Sequence, residues 1–209
     1  MHLHAELTLR LNLEKSEEQL MAEMRKNTRY EVRKAEKLGI VVTKSTDSKE
    51  VDAFYKLQEK TAKRNSFVPF SLNYLKKQFE IFRNNDKVAM YTAKLGNKML
   101  AKAFIIFYGN EAIYHYGASS DLGRKYPGAY LLLWEIAKEA KAKGRKYFNF
   151  WGITKEEEVN HRFYGVSLFK RGFGGEEIDY LHARDYVIDK PKYLLNFLVE
   201  EVRKKVRRL

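Results

Sequence analysis

The sequence predicts one α/β (α+β) domain with a mixed, mostly antiparallel central sheet flanked by helices. Three observations carry this. Hydrophobic residues make up 44% and aromatics 14% of 209 residues, enough apolar side chains for the core of one domain. The apolar spacing switches along the chain between the alternation of strands and the three-to-four step of helices. Three β-rich stretches between 87 and 119 are joined by Gly96-Asn97 and Gly109-Asn110, the turn signals of an antiparallel meander.

Each element follows from its own pattern. AELTLRLNL at 5–13 alternates and reads as a strand. Ser16, followed by Glu18 and Gln19, opens a helix holding Leu20, Met21 and Met24. A second helix over 28–38 stops at Gly39, and IVVTKS at 40–45 is a short β-branched strand. Helices are expected over 48–63, with Val51, Phe54, Tyr55, Leu57 and Gln58, and over 71–83, with Leu72, Leu75, Phe79 and Phe82. The meander strands are 87–95, 99–109 and 111–119. A helix over 129–144 follows, with Leu131, Leu132, Trp134, Ile136, Ala137 and Ala140 as its apolar face and Gly144 at its end. YFNFWG at 147–152 is a buried strand, a short helix falls within 159–171, and IDYLHARDYVID at 178–189 reads as a strand. The chain ends in YLLNFLVEEVRKKVRRL, 193–209, expected to dock on the core as a helix with a basic tip, a tip that could also touch anionic lipid headgroups. The expected organisation is a single domain over 1–209: strand and basic helices at 1–39, a core at 40–189, and the basic amphipathic helix at 190–209.

Lys and Arg number 40 against 27 Asp and Glu, a formal charge of +13. Such an excess favours polyanions: nucleic acid, anionic membrane or phosphorylated small molecules. With no cysteine, disulfides and thiolate metal sites are excluded. MHLHAELTLRLNL lacks the apolar core of a signal peptide, and no apolar run approaches the ~20 residues of a bilayer span. The expected compartment is the cytoplasm, with peripheral contact at the inner face of the membrane left open. GASSD at 117–121 is not a nucleophile elbow, no P-loop is present, and the histidines show no metal-ligand pairing beyond terminal His2 and His4. Glu156, Glu157 and Glu158 form a solvated loop run.

From residue 40 the order is strand, two helices, three antiparallel strands, helix, strand, helix, strand. This resembles the acetyltransferase-like fold of the GNAT superfamily. There the helix after the meander presents its N-terminal amides to a phosphate-bearing donor, a place where orphan N–H groups favour an anion. The family's basic, glycine-rich loop matches Arg124-Lys125-Tyr126-Pro127-Gly128-Ala129, with one glycine where two are expected. Arg124 and Lys125 are candidates to hold a donor phosphate, and a coenzyme A cradle is weakened.

More specifically, four segments in order resemble the Fem family of peptidyltransferases: MRKNTRYEVRKAEKLGI at 24–40, IYHYGASS at 113–120, YPGAYLLLWEIAKEAKAKGRKYFNFWGI at 126–153 and YGVSLFKRGFGGE at 164–176. The resemblance implies transfer of an amino acid from aminoacyl-tRNA to an amine of a nucleotide- or lipid-linked peptidoglycan precursor. Aminoacyl-tRNA would be the donor substrate, with no cofactor. Family members usually carry a preceding GNAT-like unit before the strand matching 5–13. A partner chain or dimer is therefore an expectation, in place of that first unit.

Aminoacyl transfer from an ester needs an aligned, deprotonated amine and a stabilised tetrahedral oxyanion, not a covalent nucleophile. In family terms Phe169-Lys170 is the key match, with Lys170 a cation for the oxyanion or a donor phosphate. Tyr116 matches the family tyrosine near the transfer centre. Strict alternation places Tyr114 on the same face as a second choice. Arg64 and Asn65, in the loop between two helices, border the acceptor side of GNAT folds. Arg25, Arg29, Arg33 and Lys37 recur every four residues, with Lys26 and Lys34 beside them, a stripe suited to RNA backbone. The glycines of SLFKRGFGG are expected to turn the chain from a helix into the last strand, with Arg171 left to solvent. Two other readings stand beside transfer from tRNA: an acyl-CoA-dependent N-acyltransferase and a non-catalytic RNA-binding module.

Overall fold

The computed structural model describes residues 6–65, 68–83, 87–182 and 184–207, without the side chains of Asn65 and 204–207. The elements are β1 (Leu7–Asn12), α1 (Glu17–Glu23), α2 (Lys26–Lys37), β2 (Val41–Ser45), α3 (Glu50–Asn65) and α4 (Leu72–Arg83). Then come β3 (Val88–Leu95), β4 (Lys98–Tyr108), β5 (Glu111–Ser119), α5 (Gly128–Ala142), β6 (Tyr147–Gly152), α6 (Tyr164–Arg171), β7 (Glu176–Asp179) and α7 (Lys190–Arg207). One sheet holds all the strands in the order β2-β3-β4-β5-β6-β1-β7. Its pairings are antiparallel except β5 with β6, which are parallel. The expected mixed, mostly antiparallel sheet with flanking helices is the fold observed.

Local chemistry sets the boundaries. Ser16 Oγ accepts from the Gln19 amide at 3.2 Å and Gln19 Oε1 accepts from the Ser16 amide at 2.8 Å, so both orphan donors at the start of α1 are satisfied. Gly96 and Gly109, both at φ +53°, make the meander turns, and Gly39 at φ +71° ends the α2 region.

Two cores lie on opposite faces of the sheet. On one, Leu131, Leu132, Leu133, Trp134 and Ile136 of α5 pack over Leu9, Leu11, Ala103 and Ile105, with Val32 and Ala35 of α2 outside them. On the other, Val51, Phe54 and Leu57 of α3 and Leu75 and Phe79 of α4 cover Val88, Met90, Phe104 and Ile106. α5 is buried nearly all round because it lies between the sheet and α2.

Two expectations about the C-terminal part are corrected. The last strand is four residues long, not 178–189. Its partner β1 begins at Leu7, the Tyr180 amide finishes the ladder on Glu6 O at 2.8 Å, and Leu181, Tyr186 and Ile188 have no face to bury. α7 is not docked on the core: none of its described side chains joins either cluster, and its leucines are exposed.

In SLFKRGFGG the chain does turn from α6 into β7. Gly174 and Gly175 have φ of +82° and +93°. A Cβ on Gly174 would lie 2.9 Å from Glu23 O, and on Gly175 2.5 Å from Arg10 O. Glycine is required there for both conformation and close approach. Gly175→Ala is expected to destabilise the fold by ~2–4 kcal/mol, the sum of backbone strain and overpacking. Gly96→Ala, whose Cβ would meet nothing within 4 Å, should cost only about 1 kcal/mol. Urea unfolding of the two variants with an unchanged m-value checks the ranking.

Candidate active site at the fork of β5 and β6

β5 and β6 pair through Glu111–Tyr147, Ala112–Phe148 and Ile113–Asn149 and then part. Each strand is bulged at the fork. In β5, Tyr114 pairs with Ile105 and Tyr116 with Phe104, so His115 is the extra residue. In β6, Asn149 pairs with Arg10 and Gly152 with Thr8, and Trp151 takes φ +64°. Asn149 holds both sides. Its Nδ2 donates to Glu111 Oε2 at 2.9 Å, and its Oδ1 accepts from the Trp151 amide at 2.8 Å. The His115 and Trp151 rings then meet edge to face across the gap, 5.4 Å between centroids.

The bulge corrects one expectation directly. Tyr114 and Tyr116 lie on opposite faces, because the extra residue inverts the alternation. Tyr114 packs with the α5 core and lies over Gly117, where a Cβ would come within 1.6 Å of its Oη. Burial pushes its phenol up to about 12. Tyr116 lies on the α4 side, 4.0 Å from the His115 ring and 5.9 Å from Phe70. Burial first, then Tyr74, holds its phenol well above its usual range, against a smaller lowering by Gln78. Tyr116 is thus a neutral donor at physiological pH. Gln78 Nε2 lies 2.9 Å from His115 Nε2.

Beyond the fork, α6 clamps the end of β6. Lys170 Nζ donates to Gly152 O at 2.6 Å, the Thr154 amide donates to Ser167 Oγ at 2.9 Å, and Arg171 Nη2 donates to Thr154 O at 2.6 Å. Arg171, expected in solvent, is only 7% exposed and pairs through Nε with Glu177 at 2.5 Å. That ion pair raises its pKa. Lys170 is equally buried, and burial alone lowers its amine to about 8. Phe169 turns the other way, packing on Tyr130 and Phe173 at 4.9 and 5.5 Å. Tyr116 and Lys170 share no direct contact among the described residues. They flank the fork and are linked through His115, Trp151 and the Gly152 carbonyl.

The remaining candidates sit at the edges. Arg64 donates to Asp121 Oδ1 at 2.8 Å and to Ser119 O at 3.3 Å, tying α3 to the end of β5. The Asn65 side chain lies outside the described residues. Arg124 and Lys125 are exposed in the turn before α5. A Cβ on Gly123 would lie 2.0 Å from Leu100 O, and on Gly128 2.6 Å from Leu100 Cβ, so close packing on β4 accounts for both glycines. On α2, Arg33 and Lys37 are exposed, as are Arg25 and Lys26 at its start, while Lys34 lies 3.8 Å from Glu31. Arg29 donates to Ala22 O at 2.6 Å and Met24 O at 2.8 Å, occupying the last carbonyls of α1.

Lys170 leaves a signature in stability. The folded chain releases this proton near pH 8, whereas the unfolded chain holds it to about 10.5, the ordinary value. Its contribution to stability is therefore lowest below pH 8 and rises as pH climbs between those values. The unfolding free energy of the wild type relative to Lys170→Met is expected to increase by about 3 kcal/mol across that window, measured by denaturant titration at each pH.

A family model described as an acetyltransferase (GNAT) domain matches residues 22–161. The lipid II:glycine glycyltransferase of Staphylococcus haemolyticus (strain JCSC1435) is 29% identical over 126 residues, 60% of this chain and 29% of that protein. The aminoacyltransferase FemA of Staphylococcus aureus is 27% identical over 112 residues, 53% of this chain and 27% of that protein. The chain thus matches little more than a quarter of the length of these curated relatives. A crystal structure of FemX superposes with a TM-score of 0.84 at 18% identity, covering 93% of this chain and 64% of FemX. The sheet order, the fork after the meander and the family match make the chain a member of the acetyltransferase (GNAT) domain family, similar in sequence to Fem-type aminoacyltransferases.

Proposed function

We propose that the chain is an acyltransferase that moves an amino acid from aminoacyl-tRNA to an amine of a peptidoglycan precursor peptide, in cell-wall cross-bridge formation. The observation that carries the reading is the buried amine of Lys170, held at the Gly152 carbonyl beside an open fork. In the reaction the acceptor amine attacks the ester carbonyl. A C–N bond forms, the bond to the ribose oxygen breaks, and the amine's proton ends on that oxygen. Lys170, as its ammonium, stabilises the oxyanion between those events, and the Tyr116 phenol donates a hydrogen bond at the same centre.

The exposed cations of Arg25, Lys26, Arg33 and Lys37, with Lys34 beside them, offer a face to the tRNA backbone. In this reading Arg29 acts mainly by fixing that face to α1. Arg124 and Lys125 receive a donor phosphate, and Arg64 and Asn65 border the acceptor. The precursor is nucleotide- or lipid-linked, the work is done in the cytoplasm at the inner face of the membrane, and a partner chain or second copy completes the acceptor side. For coenzyme A the structure adds no support, because Gly123 in the turn before α5 and Gly128 at its first residue are both accounted for by packing on Leu100.

A charged-tRNA assay with peptidoglycan precursors tests the reading. Lys170→Ala is expected to lower the transfer rate by ~10²–10³, the range of a lost oxyanion donor, and Tyr116→Phe by less. The wild-type rate should fall as pH rises through about 8, where Lys170 loses its charge. No transfer with any donor amino acid, or an unimpaired Lys170→Ala, contradicts the reading. Micromolar coenzyme A binding by calorimetry would favour acyl-CoA chemistry. Salt-sensitive tRNA binding indifferent to the aminoacyl group, without transfer, would favour an RNA-binding module.

A further inference from the structure

α7 is the longest helix among the described residues and has no place in either core. Leu194, Leu195, Leu198 and Val202 are 59%, 65%, 54% and 61% exposed. With Val199 they share one side of the helix by spacing. Before it, Leu181, Tyr186 and Ile188 are nine-tenths or more exposed. Most helices in proteins owe their stability to packing of an amphipathic face, and monomers rarely leave contiguous apolar surface of this kind uncovered. Something apolar covers this side of α7.

Charge decides what. Lys190 and Lys192 stand exposed at the start of α7, and the sequence ends with Arg203, Lys204, Lys205, Arg207 and Arg208. At 100° per residue, positions 204 and 207 fall opposite the leucine side, position 203 at its flank and position 205 within it. Against them stand only Glu200 and Glu201 within the helix. Apolar on one side and cationic at both ends, this is the chemistry of a helix lying in a lipid interface, with Tyr193 and Phe197, whose rings stack at 6.5 Å, on the side away from the leucines. No described helix is long and apolar enough to cross a membrane.

We propose that α7, with Leu181, Tyr186 and Ile188 before it, docks the protein flat onto an anionic lipid surface, leucines in the acyl boundary and cations at the phosphates. This goes beyond aminoacyl transfer and stands without it, since lipid binding is read with neither donor nor acceptor present. The test is sedimentation of the full chain with phosphatidylcholine vesicles, with and without added phosphatidylglycerol. The wild type is expected to bind the anionic vesicles at least about tenfold more tightly than the neutral ones. Leu194→Asp/Leu198→Asp should lose most of that binding while its circular dichroism stays that of a folded chain. Arg203→Glu/Lys204→Glu should lose the preference for anionic lipid. Two results overturn the proposal: anionic binding unchanged in the leucine double variant, which would assign it to other cations such as those of α2; and no vesicle binding by a wild type that light scattering shows to be a dimer which the leucine variant splits. The second would make another copy of the chain the occupant.

Discussion

Neighbouring parallel strands can separate only where something else satisfies the backbone they leave, and the whole candidate site depends on how β6 meets that constraint. After Asn149 its outer edge has no further pairing with β5. The tip is instead held from α6, by Lys170 on Gly152 O, Arg171 on Thr154 O and Ser167 on the Thr154 amide. A buried carbonyl left unpaired would cost about 1–3 kcal/mol, so these contacts are what allow the fork to stay open. They also fix α6, and hence the position of the Lys170 amine, to the strand whose departure creates the opening.

The lowered pKa of Lys170 follows from the same arrangement. Burial lowers it, and no carboxylate restores the charge. Arg171, one residue on, is as buried but pairs with Glu177 and stays charged. Adjacent cations on one helix thus do different work: Arg171 is a fixed strut, and Lys170 is a group able to change protonation near neutral pH. Across the fork Tyr116 is held neutral by burial. The pair supplies one cation and one neutral donor on a scaffold whose bulges, at His115 and Trp151, are locked by each other's rings.

Much of this was legible in the residues. The Gly-Asn turns, the Ser16 capping box and the apolar periodicity gave the meander, the helices and the sheet. Phe169-Lys170 and Tyr116 stood out through resemblance; Lys170 and Tyr116 lie at the two sides of the fork, while Phe169 packs away from it on Tyr130 and Phe173. The errors have physical causes. Residues 113–116 are Ile, Tyr, His and Tyr, so alternation carries no mark of an extra residue, and Tyr114 was assigned to the wrong face. Arg171 read as solvent because its partner, Glu177, lies beyond a glycine turn whose path only the fold defines. Asn149, polar between the buried Phe148 and Phe150, was a visible signal that went unused. The apolar pattern of 178–202 was real but described a surface, because an amphipathic pattern does not say whether protein core or another phase receives it.

The central claim is that clamping the tip of β6 buries an amine without a counter-ion at the fork. Direct titration of the Lys170 side chain by NMR, with the amine assigned through Lys170→Arg, tests it most closely. The account predicts a midpoint near 8. A midpoint near the ordinary 10.5 would contradict it, since the amine would then be solvated or paired.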